Sequence, residues 1–197
     1  MKVNSEINQE KLDELKGNAK VVIHKKLGIR PIAGSKANKH YHDVACEMIV
    51  RSHFRPHKLG KGSLFQGTVG IGKSEMLRLV RAEGKAFDMF TMSEVSAMYN
   101  DSPRVYAAAV KNSPRHLILD DVGTETQSIH MGARLDVFCD LVDARYDYWC
   151  RTGWTLSIST NANWDSLEKK YGKRTVSRLK QMTSVVAWAD NDLRQQL

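Results

Sequence analysis

Apolar residues follow two rhythms along this chain. Short runs with closely placed apolar residues occur at residues 63–66, 86–91, 116–120, 155–160 and 184–189, that at 116–120 being nearly continuous. Between them, apolar residues return every three or four positions, at 41–52, 72–83, 92–99, 102–112, 132–149, 164–170 and 173–182. The runs predict buried strands and the periodic stretches predict helices. In the first periodic stretch Tyr41, Val44, Ala45, Met48 and Ile49 fall on one face. In the long stretch at 132–149, Leu135, Phe138, Val142, Tyr146 and Trp149 do the same, so Trp149 is expected in the core. Strands that alternate with helices pair in parallel, because each connection must cross back over the sheet. The expected fold class is α/β, with a five-stranded parallel sheet and helices on both faces.

The rhythm changes before residue 40. Residues 6–26 predict a helix with Ile7, Leu12 and Leu15 on one side, then Gly28, Pro31 and Gly34 interrupt, and 33–38 reads as a linker. The predicted organisation is an N-terminal extension and linker at 1–39 followed by one domain at 40–197. Charge is uneven too, with the excess ahead of the glycine-rich segment at 67–74. Residues 1–62 hold 13 Lys/Arg against 6 Asp/Glu, and residues 63–197 hold 17 against 16. The net charge of +8 is therefore concentrated ahead of the central sequence. A basic arm of this kind suits an acidic partner, with nucleic acid the leading candidate.

Several classes are disfavoured. No run of about 18 apolar residues is present, so no membrane span is expected. The N-terminal residues lack the apolar stretch of a signal peptide, which predicts a cytoplasmic protein. Cys46, Cys139 and Cys150 are odd in number and form no CxxC pair, so free thiols are expected. His40, His42, His53 and His57 cluster around Cys46, yet they do not supply four ligands at a zinc spacing, and a basic surface is the better reading.

The chemistry concentrates in Gly67-Thr68-Val69-Gly70-Ile71-Gly72-Lys73-Ser74, which matches GxxxxGK[ST] at every fixed position. Glycines let the chain wrap closely around a polyphosphate, where a Cβ would block the approach. Backbone N–H groups then form an anion nest, and the following helix adds the positive end of its dipole. Lys73 can reach the β- and γ-phosphates, and the Ser74 hydroxyl can ligate Mg²⁺. A predicted strand ahead of the loop and an amphipathic helix behind it supply the right context.

About 46 residues further on, the apolar run at 116–119 ends in Asp120 and Asp121. A buried strand delivers its last carboxylate to the C-terminal edge of the sheet, beside the phosphate loop. Asp120 would hold Mg²⁺ directly or through water, and Asp121 would orient or deprotonate an attacking water. Asn161 ends a further strand and could position that water, although Asn161-Ala162-Asn163 also reads as a turn and helix cap.

Together these residues resemble the AAA+ ATPases, in particular the branch of bacterial and phage helicase loaders like DnaC and DnaI, to which the transposition helper IstB also belongs. The most specific piece is Leu117-Ile118-Leu119-Asp120-Asp121-Val122-Gly123-Thr124-Glu125, similar to that branch's strand with two aspartates followed by hydrophobic-Gly-x-Glu. The resemblance implies ATP as the nucleotide, Asn161 as the sensor 1 residue and Arg178 as an arginine finger, with Arg174 the runner-up. It implies Arg194 as a sensor 2 arginine that contacts the nucleotide. A finger acts in a neighbouring subunit, so it also implies a homo-oligomer in the ATP-bound state. The expected partners are single-stranded DNA and a replicative DNA helicase, or a transposase if the chain is IstB-like. A nucleotide-dependent adaptor with little turnover is a third possibility. Loaders of this branch usually carry a substantial N-terminal domain, whereas about 40 residues precede the core here.

Overall fold

The computed structural model of the chain describes residues 13–19, 21, 36–53, 60–125 and 128–187, with side chains at all of these except 36–42, 133, 134 and 187. Helix α1 comprises residues 13–19, and α2 runs over Lys36–Arg51. The sheet strands are β1 (Gly62–Gln66), β2 (Phe87–Thr91), β3 (His116–Val122), β6 (Leu156–Thr160) and β7 (Thr183–Ala187). A hairpin of β4 (Ser128–His130) and β5 (Ala133–Leu135) stands apart from them. The remaining helices are α3 (Lys73–Glu83), α4 (Met92–Asp101), α5 (Pro103–Tyr106), α6 (Val137–Thr152) and α7 (Trp164–Met182).

The five strands lie in the order β2-β3-β6-β1-β7, and every pair is parallel. Side chains alternate across the sheet and define two cores. Leu64, Leu117, Leu119, Leu156 and Ile158 face α4, α6 and α7 on one side. Phe65, Ile118 and Val186 face α2 and α3 on the other, with Leu15 and Ala19 of α1 joining that cluster. The helix after β1 therefore packs on one face and the helix after β3 on the opposite face. Where connections leave to opposite faces, the C-terminal strand ends open onto a crevice.

Three expectations need correction. Helix α2 begins at Lys36, inside the stretch read as linker, so three of those residues are helical. The long helix expected at 132–149 begins only at Val137. Ahead of it, Met131 (φ 48°) and Gly132 (φ 82°) both take left-handed conformations. Two such residues make the tight turn a hairpin needs, so the preceding segment pairs as β4–β5. Asp136 then starts α6 by accepting the Cys139 N–H at 3.0 Å. Finally, the helix expected at 102–112 becomes a π segment over Ala107–Lys111. Tyr106 and Lys111 both donate to Asp140 of α6, at 2.9 and 2.7 Å, which anchors both ends of that wider turn. The split expected between 170 and 173 is present, because Gly172 (φ 83°, ψ 160°) interrupts α7.

Trp149 packs in the core as expected, and its indole N–H donates to the Gly60 carbonyl at 2.6 Å. His53 Nδ1 lies 2.9 Å from the Ile49 carbonyl of its own helix, whereas the side chains of His40, His42 and His57 lie outside the described residues. No helix among the described residues is long and apolar enough to cross a membrane.

His116 opens β3 as a buried imidazole, set between the rings of Phe87 and Trp154. Its Nδ1 accepts the Thr155 N–H at 3.2 Å. Burial, reinforced by Arg145 and Arg51, pushes its pKa down to about 4. The unfolded chain takes up this proton near pH 6.5 and the folded chain only near 4. Stability from this residue is therefore complete above about pH 6.5 and is lost as pH falls towards 4. The expected loss across that window is up to about 3 kcal/mol, and His116→Gln should flatten that part of a denaturation-versus-pH curve.

Candidate nucleotide site

The loop after β1 is built for close backbone approach. Gly70 (φ 88°) and Gly72 (φ 83°) occupy left-handed conformations that a side chain would oppose. Ile71, between them, is buried and pins the loop to the core, while Val69 stands exposed at its tip. Gly72 is the N-cap of α3 and offers no side chain to its first N–H groups. Those groups and the helix dipole therefore face the crevice as an anion site.

Lys73 is buried, at 5% exposure. Its ammonium donates to the carbonyls of Gly67 and Thr68, both at 2.8 Å, and to Asn161 Oδ1 at 2.7 Å. Burial lowers its pKa, and the nearby carboxylates of Asp121 and Asp120 oppose that shift. The Ser74 hydroxyl donates to Asp120 Oδ1 at 3.0 Å. The loop, the acid strand and the residue after β6 thus converge, Lys73 bonding Asn161 and Ser74 bonding Asp120.

The acid pair sits on a break in the β3–β6 ladder. Register shifts between Leu119 and Val122, and Asp121 takes a positive φ of 56°. A bulge re-aims side chains that a regular strand would send to opposite faces. Ser159 of β6 closes the gap, accepting the Asp121 N–H at 2.9 Å and donating its own hydroxyl to Asp120 Oδ1. Asp120 ends up almost fully buried and Asp121 half-buried. Burial raises the Asp121 pKa, Asp120 adds to the rise, and Lys73 and Arg78 oppose it.

No family model matches this chain, and no curated protein matches it in sequence. Solved structures do match. DnaI superposes with a TM-score of 0.61 at 15% identity, over 83% of this chain and 87% of that one. The DnaC helicase loader gives 0.56 at 20% identity, over 79% and 92%. DnaA from Aquifex aeolicus bound to AMPPCP gives 0.58 at 18% identity, over 81% of this chain and 49% of that one. The chain has the AAA+ P-loop NTPase fold.

Within that AAA+ frame, the remaining expected residues separate. Asn161 is in the site, bound to Lys73. Arg178 is not among the groups gathered at the Lys73 site of its own chain. It lies on α7, paired with Asp143 of α6, its guanidinium 5.0 Å from the Tyr146 ring centroid. Arg174 reaches the same carboxylate at 3.3 Å but is largely exposed. Lys170, exposed on α7, donates to the carbonyls of Gly123 and Glu125. Arg194 lies outside the described residues.

Ser159 was missed by sequence reasoning, although one signal pointed to it. A strand whose neighbours bury it on both sides seldom carries Ser157, Ser159 and Thr160 without bonding partners for their hydroxyls. Ser159→Ala should leave the Asp121 N–H unmet and cost about 1–3 kcal/mol of stability. In the same variant, nucleotide affinity should fall more in Mg²⁺ than in EDTA, because Asp120 loses its partner.

Proposed function

We propose that this chain is an ATPase that works as a subunit of an oligomer on single-stranded DNA and helps load a replicative DNA helicase. The observation that carries the nucleotide reading is the buried ammonium of Lys73, held between two loop carbonyls and Asn161 beside the Ser74–Asp120 pair. A triphosphate can take over those ammonium bonds with little rearrangement, since the donor already points into the loop. Ser74 and Asp120 would hold Mg²⁺, whose charge neutralises the β- and γ-phosphate oxygens.

The residues around it divide the work. The loop N–H groups from Thr68 to Ser74 bind the phosphates, while the Gly67 N–H is held by the Thr160 carbonyl at 3.3 Å, and Lys73 follows the charge that develops on the transferring phosphoryl group. Asp121 orients the attacking water and accepts its proton. Asn161 holds Lys73 and can hold the same water. Arg178 of one subunit would complete the site of the next, and Arg194 would contact the nucleotide from the C-terminal segment. The basic extension at 1–39 is the segment we assign to DNA or partner contact.

The names of the similar structures favour this reading over a transposase helper. One is a DnaC helicase loader, and one is the replication initiator DnaA bound to AMPPCP and single-stranded DNA. Both likenesses are of fold, at identities of 20% and 16%.

Three measurements test the proposal. Lys73→Ala should abolish hydrolysis and weaken ATP binding by about tenfold or more, in line with loss of a charge-assisted contact; full activity would refute the nucleotide site. Mixing Arg178→Ala subunits with Asp121→Asn subunits should restore part of the activity that each lacks alone, and no recovery at any ratio would count against a finger in trans. Single-stranded DNA should bind more tightly with ATP present, with an affinity that falls as salt rises. A preference for duplex would favour the transposition reading.

A further inference from the structure

Glu125 follows Asp121 by four residues on the loop leaving β3, and none of the chemistry above uses it. Its side chain is only 6% exposed. The Gly123 N–H donates to Oε2 at 2.9 Å, the Tyr171 hydroxyl donates to Oε1, and Lys170 Nζ lies 3.4 Å from Oε1. Lys170 also donates to the Gly123 carbonyl at 2.8 Å and to the Glu125 carbonyl at 2.9 Å. Four of these five contacts cross from the β3 loop to α7. A buried carboxylate with this many donors is far more committed than a surface acid.

The contacts continue at both ends. Towards the nucleotide site, Thr160 of β6 donates its hydroxyl to the Val122 carbonyl at 2.7 Å, which joins this loop to the strand that carries Ser159 and leads into Asn161. Towards α7, the Tyr171 ring packs on Phe138 with centroids 4.4 Å apart. Burial first, and then Glu125, hold the Tyr171 pKa far above the usual phenol range, so its hydroxyl stays a donor. Gly172 interrupts the helix immediately after Tyr171, and the helix then resumes with Arg174 and Arg178. Glu125 therefore grips α7 at the residue next to its break, just before the arginine-bearing half.

We propose that Glu125 is a positioning residue that couples the acid pair of one subunit to the arginine which that subunit presents to its neighbour. This rests on the reading of Arg178 as a finger acting in trans. A shift at Asp120 or Asp121 moves Val122 and Gly123, and the Glu125 bonds pass that shift to α7 at its break. Coupling of this kind needs a contiguous set of bonds between two elements that can move relative to one another. A glutamine at 125 keeps the shape but has one acceptor oxygen, so either the Gly123 N–H or the Tyr171–Lys170 side would face an NH₂ group.

The mixing assay tests this when the substitution is placed on one side at a time. Asp121→Asn subunits donate Arg178, and Arg178→Ala subunits supply the working site. Glu125→Gln in the donor should lower the mixed rate by about fivefold or more, while the same change in the acceptor should lower it by less than about twofold. Binding of a fluorescent ATP analogue should stay within about twofold in every variant. Tyr171→Phe keeps the ring on Phe138 and removes one hydroxyl, so it should show the same asymmetry with a smaller amplitude. Equal loss on both sides, loss on the acceptor side alone, or no loss overturns the proposal while leaving the finger in place. If the unmodified mixture recovers no activity, the finger reading falls and this inference with it.

Discussion

The candidate site depends on one irregular ladder step, the bulge in β3 at Asp120 and Asp121 that Ser159 closes from β6. A regular strand would turn two consecutive carboxylates to opposite faces of the sheet. Here the Asp121 backbone takes a left-handed φ, and its N–H finds a hydroxyl in place of a ladder carbonyl. The same hydroxyl donates to Asp120, so one serine satisfies a displaced backbone group and orients a buried acid. Without that bridge a left-handed aspartate next to a buried carboxylate would be strained and unmet. Such strain persists only where its surroundings hold it.

Electrostatics follow from this placement. Burial first, and then the adjacent Asp120, hold the Asp121 pKa above the usual carboxylate range. Lys73 is the compensating cation. Burial weakens its charge while the two acids restore it. Two carboxylates and one ammonium leave the crevice with limited charge of its own, and the N-terminus of α3 adds positive potential on the loop side. That balance suits a polyphosphate–metal complex, whose two components bring opposite charges of their own.

Helices α6 and α7 hold the arginines outside the Lys73 cluster. Arg178 is partly buried against Tyr146 and shares Asp143 with Arg174, so its direction is set by α6 as well as by its own helix. An ion pair with one partner sheltered is held more firmly than an exposed pair, which typically contributes about 0–1 kcal/mol. Reaching a neighbouring subunit would require Arg178 to give up Asp143. The interruption at Gly172 supplies a place where the arginine-bearing half of α7 could change direction.

Much of this was legible in the residues themselves. Periodicity located all five sheet strands to within a few residues, because short apolar segments between helical stretches stand out without tertiary information. The candidate phosphate loop was readable because its glycines, lysine and serine fall at fixed spacings within one short segment. Other features were decided by contacts between segments distant in sequence. Residues 133–135 look helical in period but pair with 128–130 once Met131 and Gly132 turn left-handed. Ser159 reads as an ordinary strand residue until β6 lies against the bulge. Lys170 stays exposed, yet two carbonyls and a carboxylate of the loop after β3 fix its direction. The sequence by itself determined which groups can bind a phosphate, because that chemistry is local. Only the tertiary structure decided how the acids are aimed and what holds them, because hydrogen bonds across strands and helices join residues some 40 positions apart.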